Sequence, residues 1–150
     1  MGKYYNQLKP EVKKYFKILS EHFPEWLEEY IDTAEMKRIS HISMNCGKDY
    51  SNCFKVGYFY SNLDHSVGVA LIIWNFTHDK KQTLAGFFHD IATPVFKHCI
   101  DFMNGDYKNQ NSTEDKTTYL IQNSKKIIDD YLKLPKGGYY TYFDFDFTPY

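Results

Sequence analysis

The chain has 150 residues, a formal net charge of −1 and 43% hydrophobic residues, which suits one compact domain over 1–150 with a buried core. Lysines and arginines are spread along it with no basic block, so charge favours neither nucleic acid nor a membrane surface as a partner. No run reaches the roughly 18 apolar residues of a membrane span, the opening MGKYYNQLKP lacks a secretory stretch, and Cys46, Cys53 and Cys99 are an odd set for a disulfide framework. A cytoplasmic protein with reduced thiols is expected.

Pro10 opens a pattern in which Val12, Phe16, Leu19 and Phe23 recur at helical steps, predicting a helix over 10–22. Pro24 restarts the chain, Trp26, Leu27, Tyr30 and Ile31 continue the apolar pattern, and Asp32-Thr33 predicts a cap before a helix over 34–42. The stretch NCGKDYSNCFKVGYFYS has no period and is expected to be a loop. Residues 64–76 and 83–91 form two apolar helical runs separated by the polar break THDKK, which predicts an αα-hairpin. Thr93-Pro94 reads as the cap and first position of a helix reaching Met103, and NGDYKNQNS then predicts turns before a last helix over 113–132. Leu134-Pro135 and Gly137-Gly138 end that helix, and 139–147 alternates aromatic with polar residues, as a strand or an extended arm would. The expected fold is all-α, a helical bundle with a short extended aromatic C-terminal tail.

Six histidines are present, and the hairpin decides which can meet. With its break near 78–79, antiparallel helices set residue 65 opposite positions near 90–93, so His65 faces His89 and Asp90. His78 stands roughly 20 Å along the helix from His65, which excludes the pair His78-Asp79 from the same ion. Two imidazoles and one carboxylate suit Mn, Fe, Co, Ni or Zn and leave coordination positions open for water, an arrangement associated with hydrolysis. Adjacent residues on a regular helix point about 100° apart, so His89 and Asp90 need a distorted or terminating turn to share an ion. The same residues also fit a packed core histidine and a polar helix end. His98 and Asp101, at i and i+3, share a helix face on which a carboxylate can hold the imidazole's tautomer. Cys46 and Cys53 near His41 are a loose match to a zinc site, and the basic and aromatic loop GKDYSNCFKVGYFYS can either stack on bases or pack onto the core.

His65 followed by His89-Asp90 resembles the opening of the H…HD…D signature of the HD superfamily of metal-dependent phosphohydrolases. The strings DHSVGVALIIW and TLAGFFHDIATPVFKHCIDF resemble the EHSLGV and HDxGHxPFSH segments of deoxynucleotide triphosphohydrolases and related bacterial HD proteins. Upstream, YIDTAEMKRISHI resembles their ID-T-PEFQRLR helix, so the likeness spans roughly 28–124. It implies an HD-type bundle that hydrolyses a phosphoester or phosphoanhydride, with a nucleotide as the substrate class. It further implies a divalent transition metal on His65, His89 and Asp90, with His98 and its partner Asp101 beside the scissile phosphate. Arg38 and Lys97 are assigned to substrate phosphate, although a structural ion pair suits Arg38 equally. Glu114 would orient the water or serve as base, or else cap the last helix.

The sequence departs from this pattern at several places. Thr93 stands where the triphosphohydrolases have a second histidine, and Asn62 where they commonly have an arginine. The distant fourth carboxylate has no obvious counterpart, Asp129, Asp130, Asp144 and Asp146 being the candidates. Together with the aromatic tail, this predicts a domain cut short at its C-terminus or an edge covered by a second copy or a partner protein. The rival reading is a non-catalytic HD-like module that binds a nucleotide or a protein.

Overall fold

The computed structural model describes residues 2–46, 48, 51–53, 58–105 and 116–127. Glu114, the four candidate acidic residues Asp129, Asp130, Asp144 and Asp146, and the aromatic tail lie outside the described residues. The elements are α1 (Lys3–Gln7), α2 (Pro10–Leu19), a 3-10 turn (Glu25–Leu27), α3 (Glu28–Ile31), α4 (Ala34–Ile39), α5 (Asn62–Thr77), α6 (Lys80–Phe88), α7 (Cys99–Met103) and α8 (Thr117–Asn123). The all-α expectation holds: among the described residues there is no strand, only an isolated antiparallel bridge between Ser43 and Ser61. No helix among them is long and apolar enough to cross a membrane.

The hairpin of α5 and α6 is the framework, and α2 and α4 pack against α5. Helix α5 starts at a capping box in which the Ser61 side chain accepts from the Asp64 amide and the Asp64 carboxylate accepts from the Ser61 amide. It ends where His78 turns left-handed at φ 50° and stacks edge-on against Trp74. Asp79 then caps α6, accepting from the amides of Lys81 and Gln82. The His-Asp pair at the break therefore serves the turn and stands apart from the proposed ligands.

Phe16, Leu27, Met36, Ile39, Leu71 and Phe87 are almost wholly buried where these helices meet. Truncating one such aromatic to alanine typically costs about 3–5 kcal/mol. A Cβ at Gly86 would meet the terminal Cδ1 of Ile73 on α5 and oblige that side chain to shift. Trp26 packs edge-on against both Tyr30 and Trp74, tying the 3-10 turn to α3 and α5.

Several expected boundaries move. The first predicted helix stops at Leu19, and α1 precedes it, anchored where Glu28 accepts from the amides of Tyr4 and Tyr5. Thr33 holds the N-cap position of α4, but its hydroxyl donates back to the carbonyl of Tyr30. Helix α4 ends at Ile39, and the helix expected over 83–91 runs instead over Lys80–Phe88. The helix expected from Pro94 begins only at Cys99, since Lys97 adopts φ 49° and no regular helix continues through that conformation. In the last predicted helix, α8 occupies Thr117–Asn123 and 125–127 are helical.

Candidate metal centre

Helix α6 ends at Phe88, with His89 at its C-cap and Asp90 in the turn that follows. His89 keeps helical backbone angles, φ −54° and ψ −37°, and its ring nevertheless reaches the Asp90 carboxylate. The Asp90 Oδ2 lies 3.5 Å from His89 Nε2 and 3.8 Å from His65 Nε2, the latter arriving from the first turns of α5. One ligand atom from each residue falls within 4.8 Å of the others, and this is the group among the described residues that can hold a metal ion.

The chemistry of the set suits a borderline divalent ion. Ligands about 2.1 Å from an ion stand about 3.4 Å apart in a tetrahedron, so the two distances to Asp90 need only a few tenths of an ångström of adjustment. The His89 Nδ1 is 2.7 Å from the Gly86 carbonyl. A carbonyl only accepts, so the Nδ1 carries a proton and the Nε2 is the nitrogen on the side of Asp90. Burial pushes the His65 pKa below the ordinary histidine value; Asp90 opposes this drop, and His89 and Lys97 add to it. The imidazole is thus neutral near pH 7, as ligation requires.

Arg38 lies at the end of α4 and donates through Nη2 to the Ile91 carbonyl at 2.6 Å and through Nη1 to the Thr93 carbonyl at 3.0 Å. The guanidinium assigned to phosphate thus grips the backbone just beyond Asp90, and burial lowers its pKa. His98 and Asp101 meet as expected: His98 Nδ1 is 3.2 Å from Asp101 Oδ2, with the carboxylate 0% exposed and the imidazole about half-exposed. The other oxygen of Asp101 is buried without a hydrogen-bond partner among the described residues.

Lys97 is 5% exposed, and its Nζ donates to Asn62 Oδ1 at 2.7 Å and to Met44 Sδ at 3.0 Å. The bridge between Ser43 and Ser61 assembles this seat: Met44 and Asn62 donate their amides to the carbonyls of Tyr60 and Ile42, which brings both residues to the start of α5. Nothing in the sequence announced a buried lysine here. A lysine after an apolar pair is ordinarily solvated, and only the tertiary contacts enclose it. The loose cysteine set gains no support, because Cys46 and Cys53 are both exposed and free.

No protein-family model matches this chain, and neither a curated protein nor a solved structure matches it.

Proposed function

We propose that the chain is a metal-dependent phosphohydrolase of the HD type, acting on a phosphoester or phosphoanhydride, with a nucleotide as the favoured substrate class. The observation that carries this reading is the convergence of His65, His89 and Asp90, brought together by an αα-hairpin and a helix end. A divalent ion held by these residues would supply Lewis acidity and make a water nucleophilic at neutral pH.

The remaining roles belong to the chain's own groups. Neutral His65 and the fixed tautomer of His89 offer nitrogen donors with little rearrangement, while Asp90 contributes the anionic oxygen. As the phosphorus–oxygen bond breaks, doubly protonated His98, its ring oriented by the contact of Nδ1 with Asp101, donates the Nε2 proton to the departing oxygen. Val95 and Phe96, exposed on the loop leading to His98, offer apolar surface to a nucleobase on that leaving group.

Hydrolysis of nucleoside phosphates by the full chain, assayed with Mn2+, Co2+, Ni2+ or Zn2+, tests the reading. It predicts phosphate release that a chelator stops and that Asp90→Ala abolishes. Activity undiminished in Asp90→Ala would overturn it.

A further inference from the structure

Lys97 carries two costs at once. It is a non-glycine residue in the left-handed region, and among the described residues its ammonium is enclosed with neutral acceptors alone, the amide oxygen of Asn62 and the thioether of Met44. No carboxylate among the described residues forms an ion pair with it. Buried charges are normally paired, and unusual backbone conformations persist where the surroundings enforce them, commonly at working sites. The location fits that pattern, because Lys97 is bonded to Asn62, which stands one helical turn before His65 on α5. An ammonium has three donors, and the two contacts leave one. Beside it, the Nδ2 of Asn62 is buried without an acceptor among the described residues, so among them donors outnumber acceptors here.

We propose that Lys97, seated on Asn62, is the cation that receives the phosphoryl oxygen of a phosphomonoester dianion bound at the His65, His89 and Asp90 centre. This assignment rests on the phosphohydrolase reading and narrows its substrate class. A divalent ion with one carboxylate ligand keeps a single positive charge, and the ammonium adds a second. A phosphomonoester brings about −1.5 to −2 at pH 7, which balances them. A triphosphate carries more negative charge than this set can match, and the guanidinium of Arg38 is engaged on the Ile91 and Thr93 carbonyls. The cation here is supplied from position 97, with Asn62 as its support.

The test is binding of inorganic phosphate and of tripolyphosphate to the Mn2+-loaded full chain, read by calorimetry and by thermal melting, in wild type and Lys97→Met. In wild type, phosphate should bind and raise the melting temperature, and tripolyphosphate should bind no more tightly than phosphate. Lys97→Met should keep its Mn2+ affinity, melt above the wild type without phosphate because an unpaired buried charge is gone, and bind phosphate at least tenfold more weakly. Lys97→Gln, which keeps a polar head for Asn62, gives the same comparison if Lys97→Met does not fold. Wild-type phosphate affinity in these variants overturns the assignment while leaving the phosphohydrolase reading standing, and so does tripolyphosphate binding tenfold tighter than phosphate. A wild-type chain that takes up no Mn2+ overturns both.

Discussion

Arg38 Nη2 lies 2.6 Å from the carbonyl oxygen of Ile91, so α4 grips the backbone one residue beyond Asp90. With the second arm on Thr93, the guanidinium spans the turn that α6 leaves open when it ends at Phe88. The orientation of Asp90 therefore depends on a residue more than fifty positions earlier in the chain.

Replacing Arg38 with Met should release this turn. The expected result is a lowered Mn2+ affinity, by less than the about ten- to hundredfold lost with a direct outer partner of a metal ligand, because Arg38 holds the backbone beside Asp90. Titration of the metal-free protein measures it. Unchanged metal affinity with a raised KM for phosphate esters would instead make Arg38 a substrate contact.

Asp101→Asn should separate positioning from binding. The amide can turn its NH2 group to the His98 Nδ1, which leaves no carboxylate to pair with the doubly protonated ring that donates through Nε2. A kcat about ten- to hundredfold lower is expected, with KM and metal content unchanged. Steady-state kinetics together with metal analysis distinguish this from a folding defect, which would lower both.

Gly86→Val probes the link between packing and the site. Its side chain would meet Ile73 and Val69 across the hairpin, costing about 1–3 kcal/mol through overpacking. Because the Gly86 carbonyl also orients His89, metal affinity should fall along with stability. Chemical denaturation and metal titration check the two effects, and wild-type behaviour in both would deny the close approach of α5 and α6.

Tyr4→Phe addresses pH. The Tyr4 hydroxyl donates to Asp64 Oδ1 at 2.7 Å, and burial, followed by the charge of Asp64, raises its pKa well above the ordinary tyrosine value. A folded value above the unfolded one means that the stabilisation is complete below pH about 10 and is lost as pH rises through the folded value. The variant should lose about 1–2 kcal/mol at neutral pH and show a shallower decline on the alkaline side. Denaturation curves across pH 7–11 would reveal it, and an unchanged alkaline decline would rule out this link.

The apolar periodicity on either side of THDKK made the hairpin legible in the sequence, and the position of its break selected His65, His89 and Asp90 over His78-Asp79. The i and i+3 spacing of His98 and Asp101 was legible for the same local reason, although their helix is shorter than Thr93-Pro94 implied. What escaped was tertiary. Arg38 reaches backbone carbonyls whose position no local pattern specifies, and Lys97 becomes enclosed only because the Ser43–Ser61 bridge sets Met44 and Asn62 together. The left-handed turn at Lys97 was hidden as well, since lysine carries no sequence signal for a positive φ.

The central claim is that His65, His89 and Asp90 hold one divalent transition metal. Elemental analysis of the purified full chain beside Asp90→Ala tests it most directly. About one metal ion per wild-type chain is expected, with a large loss in the variant. A stably folded wild type that neither retains metal nor takes it up on titration would contradict it.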